Sequence, residues 1–201
     1  MKIFLAVLFG AAFILGAVGA GAADKAPDAL VKSVVDDVLV IIKDNKDPQT
    51  LRTLAEQKVV PHFDFQKMTQ LAAGKVWREA SASQQQSLEN GFRMLLVNTY
   101  VTALSRSPAS TKTVEVKPMP RTAAQDEATV RTLVTESGKP PIAIDYRMAS
   151  TPAGWKVVDV TIENVSLVSN YRSTFSQEVA KSGIDGLIKT LEEKGRASAK
   201  G

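Results

Sequence analysis

The chain has 201 residues, 25 Lys and Arg against 21 Asp and Glu, a formal net charge of +4, one His and no Cys. The missing Cys excludes disulfides, thiol catalysis, Cys-ligated zinc and iron–sulfur clusters, and a single His argues against a multi-histidine metal site. With 44% apolar residues, the length suits one folded domain with a sizeable core rather than a disordered chain.

At the N-terminus, Lys2 precedes an almost wholly apolar run from Ile3 to Val18, followed by small residues from Ala20 to Ala23. This pattern is that of a secretory signal peptide, and the run is shorter than the roughly 20 residues a bilayer span needs. Residues 1–23 are therefore expected to be cleaved, leaving a periplasmic chain that starts at Asp24 with a net charge of about +3.

Residues 27–43 predict an amphipathic helix, with Leu30, Val31, Val34, Val35, Val38, Leu39 and Ile42 on one side and Pro27 in the first turn. Asp47-Pro48 starts a short helix through Leu51, Leu54 and Ala55, which ends at Pro61. Asp64 caps another, carrying Phe65, Met68 and Leu71 and stopping near Gly74. The longest helix is predicted from Ser83 to Ser105, where Ser83 and Gln86 have the spacing of a capping box. Its apolar positions cover much of its girth, so it is buried on several sides.

Residues 112–118, 127–136, 141–149 and 155–163 are rich in β-branched side chains and are separated by Pro, Gly and Ser. They predict four antiparallel strands. Alternation puts Ile144, Tyr146 and Met148 on one face and Asp145 and Arg147 on the other. Two helices close the chain near 168–182 and 184–194, with a break at Gly183, and the polar tail from 196 to 201 is expected to be disordered. Helices, then a meander sheet, then helices make an α+β order, in which several helices packed on one sheet can enclose a hollow.

Catalytic patterns are weak. There is no nucleophile elbow and no phosphate-cradling loop. His62 reads as a boundary residue. Asp145 and Asp159 lie on neighbouring strands, where pairing with Arg147 or Arg172 is the simpler role than acid–base work. Lys and Arg are dispersed among acids, which disfavours nucleic-acid binding. What remains is a large apolar inventory spread over helices and sheet.

Gly154-Trp155-Lys156-Val157-Val158-Asp159-Val160-Thr161-Ile162-Glu163-Asn164-Val165-Ser166-Leu167-Val168 resembles the signature of the MlaC family, also called toluene-tolerance or phospholipid-binding ABC-system proteins. Val60-Pro61-His62-Phe63-Asp64-Phe65 with Met68, Phe92 with Leu95-Leu96 and Tyr100, and Asn170-Tyr171-Arg172-Ser173 with Phe175 leading to Gly183-Ile184-Asp185-Gly186-Leu187-Ile188 are similar to the same family. The likeness runs in order from about 28 to 194. Asn164 departs from it, since the family pattern has Gly there, and Asn is the residue that best tolerates the left-handed region in Gly's place.

The resemblance implies an α+β fold with a curved four-stranded sheet related to NTF2-like proteins, and an apolar cavity for acyl chains in a single domain spanning 24–195. It implies no enzyme and no cofactor. It implies a monomeric periplasmic carrier that moves glycerophospholipid between an outer-membrane lipoprotein–porin complex and an inner-membrane ABC transporter with an MCE-domain subunit, maintaining outer-membrane lipid asymmetry. Two acyl chains hold on the order of 28 methylenes, so bare passage through water costs on the order of 20 kcal/mol. A carrier lowers that barrier by swapping one apolar environment for another.

The lining is expected from the helix at 88–104 and the even-numbered sheet face. The candidates are Phe65, Met68, Leu71, Phe92, Leu96, Tyr100, Val130, Ile142, Ile144, Tyr146, Met148, Val160, Ile162, Val168, Tyr171 and Phe175. Three other readings stand beside this one: a hopanoid or other lipid as cargo, an NTF2-like cavity enzyme with Asp145 or Asp159 as base, and an adaptor with a filled core.

Overall fold

A computed structural model describes residues 26–105, 112–118 and 126–200. The expected leader lies outside the described residues, among which no helix is long and apolar enough to cross a membrane.

Helix α1 (Pro27–Asp44) begins with Pro27 in its first turn and ends where the Asn45 side chain and backbone N–H both donate to the Ile41 carbonyl. In α2 (Pro48–Lys58) the Asp47 carboxylate accepts from Thr50 N at 2.7 Å, satisfying an orphan donor of the first turn. A single 3₁₀ turn, Val60–His62, carries the chain past Pro61. Helix α3 (Phe65–Ala73) is capped by Asp64, which accepts from Lys67 N, and stops at Gly74 with φ 57°.

A short helix, α4 (Lys75–Glu79), follows where no helix is expected from sequence. Helix α5 (Ala82–Ser105) is closed by a capping box, but at Ser81 and Gln84 rather than Ser83 and Gln86. Ser81 N donates to Gln84 Oε1 at 3.0 Å and Gln84 N to Ser81 Oγ at 3.2 Å. Both serines have the right spacing. The backbone decides, because Ala80 is already extended and the helix starts two residues on.

The sheet is an antiparallel meander in the order β1-β2-β3-β4-β5, with β1 Lys112–Val116, β2 Glu127–Glu136, β3 Ile142–Thr151, β4 Gly154–Ile162 and β5 Val165–Ser166. Four strands match expectation, and the two-residue β5 is the correction. It pairs with β4 through a two-residue turn in which Glu163 (φ 47°) and Asn164 (φ 65°) are both left-handed. Right-handed strand twist demands this turn class in a tight hairpin, and Asn164, of a residue type that tolerates the left-handed region, sustains it. Glu163 is pinned by Ala143, whose N–H donates to its carboxylate at 2.6 Å while its own N–H donates to the Ala143 carbonyl.

A bulge interrupts β4. Tyr146 pairs with Val160 and Arg147 with Asp159, but Met148 pairs with Val157, leaving Val158 as the extra residue. The inward face of β4 is therefore even at Val160 and Ile162 and odd at Val157 and Trp155, so the expected even-numbered face holds for only half the strand.

Helix α6 (Leu167–Lys200) breaks at Gly183, where φ 72° and ψ −175° leave helical geometry, as expected. Its end is a correction, because the helix runs on to Lys200 where a disordered tail is expected. Asn98 donates to the Gly195 carbonyl and Thr102 to that of Ser198, both at 2.8 Å, and Arg52 donates to that of Ala199 at 3.3 Å. Partners on α5 and α2 thus hold a segment whose own composition is polar.

The main core lies between α3, α4, α5 and α6, around Leu88, Phe92, Phe175, Leu187 and Leu191. Phe92 meets Tyr171 and Phe175 edge-on, with centroids 4.9 and 5.2 Å apart. A second cluster joins α1 to the sheet through Val31, Val130, Met148, Val157 and Val160, and a third joins Ile42, Leu51 and Val101. The space between these clusters is not filled.

Candidate functional site

Two adjoining lobes occupy that space. The inner lobe, about 240 Å³, is walled by α1, α2, α3, α5, the start of α6 and the inner faces of β3 and β4. The outer lobe, about 320 Å³, lies under α1 against β1, β2, β3 and β4. They share Val38, Ile42, Val59, Phe63, Leu104, Ile144 and Tyr146, which form the waist between them.

The chemistry of the walls is uniform. Among the described residues lining either lobe there is no Lys, Arg, Asp or Glu, and the side chains with a polar atom are Tyr100, Tyr146 and His62. Burial pushes the Tyr146 hydroxyl above its ordinary pKa, partly offset by a hydrogen bond with Thr132, so it stays a neutral phenol. Thr132 in turn donates to the Ile144 carbonyl at 2.8 Å. Burial likewise raises Tyr100, which is 37% exposed at the wall of the inner lobe. Such walls take apolar surface and offer nothing to hold a charge.

Of the sixteen side chains singled out from sequence, the structure brings ten to these walls: Phe65, Met68, Leu96, Tyr100, Ile142, Ile144, Tyr146, Met148, Val160 and Ile162. The other six are elsewhere. Phe92, Val168 and Phe175 are buried in the helical core, with Leu71 and Tyr171 packed on it, and Val130 is fully buried beside Met148. Each is apolar for the sake of a packed neighbour.

Sequence reasoning missed the whole contribution of α1 and α2, notably Val34, Val38, Ile41, Leu51 and Ala55, and also Phe63, Val97 and Leu104. It also missed His62, which lines the outer lobe. A signal was present in α1, whose long apolar stripe contains just two buried residues, Val31 and Ile42. An apolar stripe too long for the surface it covers marks a helix that walls a space.

Asp145 and Asp159 lie on the opposite sheet face from Tyr146. Asp145 faces Arg131 and Asp159 faces Arg147, each pair at 3.9 Å. Asp159 also accepts from Ser166 Oγ at 2.7 Å and from Val168 N, fixing the entry to α6. Arg172, the other expected partner, instead donates from two nitrogens to the Leu71 carbonyl. Among the described residues no group of three or more His, Asp or Glu is placed to hold a metal ion.

Comparison with known proteins places this geometry. The family model described as MlaC protein matches residues 32–193. The intermembrane phospholipid transport system binding protein MlaC of Haemophilus influenzae is 22% identical over 179 residues, covering 85% of this chain and 83% of that protein. The phospholipid-binding protein from Ralstonia solanacearum, solved in complex with a phospholipid, matches with a TM-score of 0.78 and 37% identity, over 86% of this chain and 98% of that one.

Proposed function

The chain belongs to the MlaC family, and on that footing we propose that it carries a phospholipid, with the acyl chains in the two lobes and the head group outside. One observation carries this reading. The hollow has no charged wall residue among those described, in a chain similar over nearly its whole length to a protein solved with a phospholipid. Walls of this kind hold chains by burial, at about 0.8 kcal/mol per methylene, and leave the head group to water.

The carrier works in the periplasm once residues 1–23 are removed. It exchanges glycerophospholipid between an outer-membrane lipoprotein–porin complex and an inner-membrane ABC transporter bearing an MCE-domain subunit, and so maintains outer-membrane lipid asymmetry. It acts as a monomer. No bond is made or broken: the protein supplies an apolar phase on each side of a transfer, and no acid, base or cofactor is needed.

The test is native mass spectrometry of the protein purified from a periplasmic extract, followed by identification of extracted lipid. One glycerophospholipid per chain is the expected result. A hopanoid keeps the carrier and changes its cargo. A folded chain that arrives empty, and that takes no phospholipid from vesicles, overturns the reading.

A further inference from the structure

The last turn of α6 lies beyond the stretch that matches the family model, which ends at residue 193. Yet it is tied to both helices that back the inner lobe. Thr102 of α5 donates to the Ser198 carbonyl, Asn98 of α5 to that of Gly195, and Arg52 of α2 to that of Ala199. Ser198 and Ala199 are among the last carbonyls of the helix, which have no partner within it, and a cation is favoured there.

Each donor sits on a helix face beside the one that forms cavity wall. Leu51 and Ala55 flank Arg52 on α2, and Val97 and Val101 flank Asn98 and Thr102 on α5, all four lining the inner lobe. The turn therefore adds a polar tie between two helices that are also joined by the Arg93–Glu56 ion pair and by the apolar cluster of Leu51 and Val101 with Ala55, Val97 and Leu104 packed on it. Asn98 is buried at 5% exposure, so its bond to Gly195 has no water to replace it.

We infer that the segment Gly195–Ala199 is a brace that holds α2 against α5, and that Arg52, Asn98 and Thr102 are positioning residues for lipid retention in the inner lobe. None of the three touches the lobe. They set the separation of the helices that do, and loss of the brace lets α2 swing out and the chain in that lobe escape.

The inference rests on the carrier reading, and the experiment separates the two. The double variant Arg52→Met and Thr102→Val is loaded with a pyrene-labelled phosphatidylcholine, and its release to phosphatidylcholine vesicles is timed. Amide hydrogen exchange of α2 is followed in the lipid-free protein. Val179→Ala, which trims a half-buried side chain on the far core, serves as a control for stability alone.

Release about tenfold faster than wild type, with faster exchange in α2, is the expected result, since removing one or two net hydrogen bonds is worth about that factor. The control loses melting temperature with its release rate unchanged. Unchanged release in the double variant, or an equal change in the control, overturns the brace. If the double variant does not fold, the single variants are read the same way, each with a smaller acceleration. If no variant or wild type takes lipid, the carrier reading falls, and unchanged α2 exchange then overturns the brace by itself.

Discussion

Gly91 of α5 and Leu191 of α6 meet so closely that a β-carbon built on Gly91 would stand 2.9 Å from the Leu191 β-carbon. The contact fixes how near the two longest helices approach. A β-carbon cannot rotate away, so Gly91→Ala must spread the helices or shift Leu191. Ala gains about 1 kcal/mol of helix propensity over Gly, and overpacking of this kind costs about 1–3 kcal/mol. The net is a loss of about 0–2 kcal/mol, or up to roughly 8 °C in melting temperature, read by calorimetry on the lipid-free protein.

The turn after β4 gives a second prediction. Asn164 holds φ 65°, a conformation that costs most L-residues about 1–2 kcal/mol and costs Gly nothing. Asn164→Ala is expected to lower unfolding free energy by about 1 kcal/mol, and Asn164→Gly to leave it within about 0.5 kcal/mol of wild type. Denaturant melts that rank Ala at or above Asn would show that the turn does not hold this geometry in solution.

Glu89 links stability to pH. Burial first, and then the Asp64 carboxylate, raise its pKa, with Arg93 opposing. A carboxyl with a raised folded pKa binds its proton more tightly when folded. In the window just above the ordinary Glu value the folded state holds more protons than the unfolded state, so stability falls as pH rises through it. Above that window the ionised form is a standing cost. Glu89→Gln is expected to raise the melting temperature at pH 7 and to leave it nearly unchanged at pH 4, and the reverse ordering would overturn the sign.

The sequence revealed the order of elements and most of their limits because these are local matters. Asp47 and Asp64 cap where they stand, Gly74 and Gly183 break helices, and alternation finds β2 to the residue. The cavity was half legible. Periodicity tells which face is apolar, not what lies against it. Phe92, Leu96 and Tyr100 fall on one i, i+4 stripe, yet each step turns about 40° around the axis and climbs a turn. Over two steps the stripe passes from packed core at Phe92 to cavity wall at Tyr100. The bulge at Val158 and the docking of the α6 tail depend on distant partners, Arg147 and Met148 in one case and Asn98, Thr102 and Arg52 in the other. No local pattern announces them.

Ala55 offers the sharpest test of where cargo sits. It is a half-buried small residue on the α2 wall of the inner lobe, where it borders both the hollow and the packed cluster of Ile42, Leu51 and Val101. Substituting Phe there puts an aromatic ring into the lobe, adds apolar contact and opens no void. The lipid-free protein is therefore expected to stay folded with a loss of no more than about 1–3 kcal/mol, while the inner lobe loses room for an acyl chain. Native mass spectra of Ala55→Phe from periplasmic extract are expected to show most chains without diacyl lipid. A fully loaded Ala55→Phe protein with unchanged stability would mean that the chains lie elsewhere, most directly in the outer lobe under α1. Val34→Phe, on the wall of that lobe alone, then decides between them. Loss of lipid there but not at Ala55 assigns the cargo to the outer lobe, and loss at both positions requires each lobe to take a chain.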